Sequence, residues 1–205
     1  MKYFSQLKAA LFLISLIPLS RLAWYGYSDQ LGANPIEFIT RSLGTWTLVF
    51  LMITLSITPL RNLSSWSWLI KLRRMAGLFA FFYALLHFIT YIWLDQFFDL
   101  SSIYKDVIKR PFITIGFAAF VLLIPLALTS TNAMIKRLGG KRWQTLHKLV
   151  YFIAFFAVLH YWWLVKKDIT QPVIYAAILA VLLGYRIWMK RKKRSIDFIR
   201  QLIRS

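Results

Sequence analysis

Cysteine is absent from the 205-residue chain, which excludes disulfides, thiolate metal sites and Fe–S clusters at once. Acidic residues are few, seven Asp and Glu against 26 Lys and Arg, and histidine occurs three times. A metal bound here must take its ligands from His, carboxylate or backbone oxygen. Charge is thin overall, 16% of residues, where a soluble domain carries about 25%. No stretch reads as a soluble domain or a low-complexity tract. What fills the chain is apolar: 59% of residues are hydrophobic and 18% aromatic. Several windows of roughly 18 to 22 apolar residues are long enough to cross a hydrocarbon core of about 30 Å. The sequence is that of an integral membrane protein.

Six spans are expected, at about residues 9–27, 44–60, 75–94, 112–129, 145–165 and 173–189. The first follows Lys2 and Lys8 as a signal peptide would, but it is too long and no A-x-A-like site closes it, so it reads as an uncleaved anchor. Arg21, near its far end, either snorkels to the interface or pairs with an anionic group of a cofactor. Gly32-Ala33-Asn34-Pro35 marks a turn in the polar loop 28–42. Trp66 and Trp68, in the basic loop 61–74, suit a membrane interface. In the longest loop, 95–110, Leu100, Ile103, Tyr104, Val107 and Ile108 recur at i, i+3, i+4, i+7 and i+8, which predicts a short amphipathic helix on the membrane surface. Pro111 restarts the chain, Pro125 is placed to kink the fourth span, and Gly139-Gly140 interrupts the second basic loop, 130–143. The tail, 190–205, begins with a run of five basic residues and carries Ile196, Ile199, Leu202 and Ile203 on one face. The expected fold is all-α, a six-transmembrane-helix bundle forming a single domain.

Charge placement orients that bundle. The two termini and the loops after the second and fourth spans hold 18 basic residues, and the opposite loops hold six; Arg21 and Arg186 lie within or near spans. The asymmetry in Lys and Arg puts both termini in the cytoplasm. The formal charge of +19 then belongs to topology and to anionic lipid head groups, and nucleic acid is excluded as a partner.

The histidines carry the functional question, because an ionisable group inside a bilayer is a functional-site candidate by default. His87 lies 12 residues into the third span, roughly 18 Å deep, and His160 lies 13 residues beyond His147 in the fifth, roughly 20 Å deep at 1.5 Å per residue. Both therefore sit at similar depth in the outer half of the membrane, on different helices. One reading is a hydrogen bond from each ring to a neighbouring helix. The other is that two facing imidazoles supply both axial ligands of a haem iron, with Ala84, Ala154 and Ala157 leaving room and Phe88, Tyr91, Phe156 and Tyr161 packing on the macrocycle. Zinc fits less well, since no third and fourth ligand lies in reach. His147 sits at the cytoplasmic edge near Arg74, and at 100° per residue it does not share a face with His160. It is either solvated or a candidate second ligand site without a visible partner. A small transporter with structural histidines is a further alternative, but all seven acids fall in loops or the tail, which argues against a proton-coupled site at the midplane.

Several runs also carry a resemblance: Arg73-Arg74-Met75-Ala76-Gly77-Leu78, Leu86-His87-Phe88-Ile89-Thr90-Tyr91, Thr129-Ser130-Thr131-Asn132, the stretch from Gly140 to Tyr151, His160-Tyr161 and the Gly32-to-Pro35 loop. They resemble the MsrQ family, a branch of the ferric-reductase-like transmembrane proteins, from the first helix to the sixth. The resemblance implies an electron-transfer subunit of the bacterial inner membrane that takes electrons from quinones and passes them to MsrP, a periplasmic molybdenum-cofactor enzyme repairing methionine sulfoxide. It implies haem b, one or two per chain, with His87 and His160 as iron ligands and His147 also implicated; Arg74 and Arg21 are further candidate cofactor contacts, read from their positions near span ends. It associates FMN with the family, although no flavin motif is visible. Relatives with two haems carry two histidines on the third helix, and this chain has one. The alternative within the same cofactor class is a stand-alone ferric or quinone reductase. That reading would call for a nucleotide- and flavin-binding domain, and no stretch of the sequence reads as one.

Overall fold

In the computed structural model, which describes residues 2–202, six helical stretches are long and apolar enough to cross a membrane: Tyr3–Tyr27, Pro35–Ser64, Ser67–Asp95, Pro111–Leu128, Gly140–Leu164 and Thr170–Asp197. Among the described residues there is no strand. The helices are α1 (Lys2–Tyr27), α2 (Pro35–Ser64), α3 (Arg73–Thr90), α4 (Leu100–Lys109), α5 (Pro111–Leu128), α6 (Asn132–Leu138), α7 (Gly140–His147), α8 (Val150–Leu164) and α9 (Thr170–Leu202). A 3₁₀ turn, Ser67–Leu72, leads into α3, and a π turn, Tyr91–Asp95, prolongs it.

The second span starts nine residues before its apolar run, at Pro35. Capping chemistry decides this: the Asn34 side chain accepts from the Glu37 amide at 3.2 Å and donates to its carboxylate at 3.0 Å. Pro35 supplies a helical φ at the first position. Hydropathy sees only the stretch inside hydrocarbon, whereas the cap lets the helix continue into the polar layer. The fifth span also differs from one unbroken helix. It tightens at Lys148 and Leu149, whose amides bond to the carbonyls three residues back, so His147 ends α7 and His160 belongs to α8. The basic tail is no separate segment: α9 runs on through Lys190–Arg194 to Leu202, while Ile203 lies outside the described residues. Gly139 holds φ at +76° between α6 and α7, a conformation that suits glycine and makes the expected break.

The surface helix of the long loop is present as α4. The Asp99 carboxylate caps it, accepting from the Ser101 and Ser102 amides at 2.9 and 3.2 Å. Its apolar arc divides. Leu100, Tyr104 and Ile108 point outward, while Ile103 and Val107 line an internal cavity.

Two helix pairs dominate the packing, α2 on α3 and α5 on α8. Tyr83 is fully buried, stacks on Phe50 at 5.4 Å, and donates to the Ser15 carbonyl at 2.7 Å, which ties α1 to the core. The polar fastening of α9 follows from one proline. Pro59 has no N–H, so the Leu55 carbonyl one turn earlier loses its helical partner. Arg186 of α9 supplies the bond: Nη2 donates to Leu55 O at 2.5 Å, Nη1 to Leu182 O at 2.9 Å, and the guanidinium lies 5.5 Å above the Tyr151 ring. An unpaired backbone carbonyl in hydrocarbon is costly. Arg186→Met is expected to lower stability by about 1–3 kcal/mol, read as a reduced thermal midpoint in detergent. An unchanged midpoint would mean that the Leu55 carbonyl finds another partner.

Candidate functional site

His87 and His160 meet. Their ring centroids are 6.1 Å apart and the rings cross at 76°, on the border of a cavity of about 520 Å³ that falls within the range of cofactor sites. The cavity opens toward the less basic end of the bundle, where Asn34, Asp95 and Arg110 join its lining.

Each ring is held by a different helix pair in the same way. His87, on α3, bonds through Nδ1 to the Thr40 carbonyl of α2 at 2.9 Å; His160, on α8, bonds through Nδ1 to the Phe112 carbonyl of α5 at 2.7 Å. A carbonyl only accepts, so Nδ1 carries a proton in both rings; two charged imidazoles this close in a largely apolar lining would be too costly, so the rings are neutral and Nε2 keeps its lone pair. Every fully enclosed side-chain nitrogen or oxygen among the described residues has a hydrogen-bond partner. Neither Nε2 has one, so each borders the open space of the cavity. The outcome is two neutral imidazoles with one free donor electron pair apiece, oriented by backbone.

Glycine makes the close approach possible. Four residues after each accepting carbonyl the helix carries Gly44 or Gly116. A Cβ at Gly44 would lie 3.1 Å from His87 Cε1, and one at Gly116 would lie 2.6 Å from His160 Nδ1. The second is closer than real Cβ contacts come, so even alanine would displace the ring.

Two imidazoles on opposite sides of one metal have centroids roughly 6 Å apart, each ligating nitrogen being about 2 Å from the metal and about 1 Å from its own ring centre. The observed spacing meets that demand. A closed four-ligand metal site is not supplied, since among the described residues no three His, Cys, Asp or Glu side chains gather.

The other sequence-derived residues distribute differently. Ala84, Ala157, Phe88, Tyr91 and Tyr161 line the cavity, whereas Ala154 is buried in the core and Phe156 packs against that core. His147 stays outside the cavity: its ring stacks on Trp143 at 3.9 Å, Nδ1 bonds to the Trp143 carbonyl at 3.1 Å, and Nε2 is 3.5 Å from Ser130 Oγ. Arg21 is exposed and engages Tyr25 one turn along α1, through Nε to the hydroxyl at 2.8 Å. Arg74 donates to Asn132 Oδ1 at 2.5 Å and borders a separate groove. Gly44, Gly116 and the two carbonyls were not singled out in the sequence. The available signal was a glycine inside an apolar span, which marks close approach of another element. Arg41 and Arg110 at the cavity mouth were likewise missed; each also pairs with a carboxylate four residues before it, Glu37 at 2.5 Å and Asp106 at 3.3 Å.

Fold and cavity together define a multi-pass helical membrane protein with an imidazole pair facing a cofactor-sized space. Comparison with known proteins narrows that class. Residues 40–158 match the family described as ferric reductase like transmembrane component. The chain is 63% identical to the protein-methionine-sulfoxide reductase heme-binding subunit MsrQ of Herminiimonas arsenicoxydans, over 92% of this chain and 89% of the relative. It is 57% identical to the MsrQ of Azospira oryzae, over 89% and 79%, and 56% identical to that of Ralstonia nicotianae, over 88% and 84%. The chain belongs to the MsrQ family within the ferric-reductase-like transmembrane proteins.

The glycine cradle is testable without any cofactor. Gly116→Val is expected to destabilise the protein by about 1–3 kcal/mol, and much of that loss should disappear in the His160→Ala background. Thermal unfolding of the four proteins in detergent gives the coupling, expected to exceed about 0.5 kcal/mol. Additive losses would show that ring and glycine do not compete for space.

Proposed function

We propose that this chain is the haem-bearing electron-transfer subunit of a bacterial methionine sulfoxide reductase system, with one b-type haem held between His87 and His160. The observation that carries the reading is the imidazole pair itself: two neutral rings, each with Nδ1 engaged and Nε2 free, on opposite helix pairs at a spacing that would let both hold one iron. The relatives' description as heme-binding subunits of a protein-methionine-sulfoxide reductase supports the same assignment.

Haem iron, when bound, passes single electrons by cycling between ferric and ferrous states. The chain's own residues provide what that role asks for. The N–H donated to Thr40 O and Phe112 O fixes each tautomer and raises the basicity of Nε2. The lining, largely aliphatic and aromatic, keeps water from the ligand nitrogens and so tunes the potential. Arg41 and Arg110 stand at the mouth in ion pairs with Glu37 and Asp106, and an acidic group of a cofactor would have to compete with those carboxylates for them. No residue is suited to reduce a sulfoxide directly, because the chain has no cysteine nucleophile. It conducts electrons, and a separate subunit does the chemistry.

The proposed direction follows from the Lys/Arg asymmetry. The basic end, with both termini, faces the cytoplasm of a bacterial inner membrane and its anionic lipids. The cavity lies toward the periplasmic end. Electrons then come from membrane quinones and leave to MsrP, a molybdenum-cofactor enzyme, with α4 and its flanking loop as the docking surface. FMN enters through the family association alone, and no residue is assigned to it. His147, stacked and bonded at the other end, is placed outside this haem's ligand set.

Purified protein is expected to show a b-type absorption spectrum that dithionite reduces. His87→Ala or His160→Ala should weaken retention of the cavity haem at least tenfold, since a single bond from the protein replaces two (about 1.4 kcal/mol is tenfold in affinity). His147→Ala should retain most of it. Haem per chain by pyridine haemochrome measures all three, and a His147 variant that alone lost its haem would overturn the assignment.

A further inference from the structure

A second groove lies at the basic end, remote from the imidazole pair. Its volume is about 960 Å³, and it runs between α1 and α3 up to the turn before α6. One part of its wall is apolar, formed by Phe12, Leu13, Leu16, Leu78, Phe79 and Phe82. Phe12, Leu13 and Leu78 remain exposed, so the groove opens sideways, toward where hydrocarbon lies around α1 and α3. The other part is cationic and hydroxylic: Lys8, Lys71 and Arg74 border it together with Ser5, Ser130 and Thr131.

None of the three cations is neutralised within the protein. Among the described residues the ion pairs are Arg41–Glu37 and Arg110–Asp106, both at the opposite end. Lys71 Nζ lies 5.1 Å from the centre of the Phe4 ring, and Arg74 uses Nη1 on Asn132 Oδ1; both contacts position the cation and leave its charge unpaired. Three positive charges at one rim of an apolar channel call for a ligand with an anionic head and a hydrocarbon body. Trp68 meets edge-on the Phe4 ring over which Lys71 lies and stacks on Trp66 at 5.8 Å, and indoles of that kind mark the head-group level of a bilayer.

We propose that this groove is a binding site for one anionic phospholipid, its phosphate held by Lys8, Lys71 and Arg74 and one acyl chain lying along Phe12, Leu13, Leu78 and Phe82. The assignment rests on the basic end being at a lipid surface, and it is independent of what the imidazole cavity holds. A soluble phosphate compound would use the same cations but would have no use for the sideways apolar channel.

The test uses the full-length protein reconstituted in bilayers of equal parts phosphatidylcholine and phosphatidylglycerol, then extracted in mild detergent and weighed by native mass spectrometry. One phosphatidylglycerol should remain bound per chain in preference to phosphatidylcholine. Lys8→Gln with Lys71→Gln should weaken its retention about thirtyfold, whereas Lys8→Arg with Lys71→Arg, or Lys166→Gln with Lys167→Gln at the other end, should keep it. Leu13→Trp, which fills the channel and leaves every cation in place, should also expel the lipid. Equal retention of both lipids, retention unaffected by Lys8→Gln with Lys71→Gln, or retention of the lipid by the Leu13→Trp protein would overturn the site. Haem absorption in the same samples is expected to be unchanged, so loss of the lipid and failure of the haem assignment give separate readings.

Discussion

Inside a bilayer a backbone carbonyl has no water to bond, and most of this structure can be traced to how its carbonyls are used. A carbonyl oxygen has two lone pairs, and a helical bond takes only one. That second lone pair, and the carbonyls left without a helical donor, are the anchoring resource of the bundle. Tyr83 fastens α1 through Ser15 O, Trp143 reaches Thr129 O, and Arg186 fills the place that Pro59 leaves at Leu55 O. The two imidazoles use Thr40 O and Phe112 O. Few side chains here can pair with one another, because acids are so scarce, so polar side chains are fastened largely to backbone.

This dependence explains why the site is built twice over. A ring that bonds a carbonyl already engaged in a helix has to lie flat against that helix, and a Cβ one turn later would block it. Gly44 and Gly116 remove that obstacle at equivalent positions, four residues after Thr40 and Phe112. α2 thereby serves the histidine of α3, and α5 serves the histidine of α8. The cavity forms where the two pairs face one another, and its width is set by backbone positions rather than by flexible side chains. An imidazole pair fixed in this way is preorganised, since each ring has a single hydrogen-bonded orientation.

The spans and the histidine pair were legible in the sequence because both follow from lengths. Hydrocarbon thickness sets the spacing of apolar runs, and similar residue counts placed His87 and His160 at one depth. The amphipathic loop helix was legible for the same reason, its period being local. Helix ends were not: α2 starts at a cap outside the apolar run, and the turn at Lys148–Leu149 has no proline or glycine to announce it. That turn changes the basis for separating His147 from His160, since a phase count along one continuous helix no longer applies. The cradle was also hidden. A glycine in a spanning helix signals close approach, but only the folded chain says which side chain approaches. Arg21 and Arg74 looked alike in the sequence, as cations near span ends. The fold turns one onto its own helix and sets the other at the lipid-facing groove.

α4 has two duties that its sequence pattern records as one. Its apolar arc is wider than a cavity wall needs: Ile103 and Val107 face inward, and Leu100, Tyr104 and Ile108 face away from the protein. The outward residues are left for a membrane surface or a docked partner. Whatever α4 rests on outside the protein therefore also supports one wall of the cavity around the imidazole pair. The surroundings of α4 thereby become one of the variables that set how dry the two Nε2 atoms are.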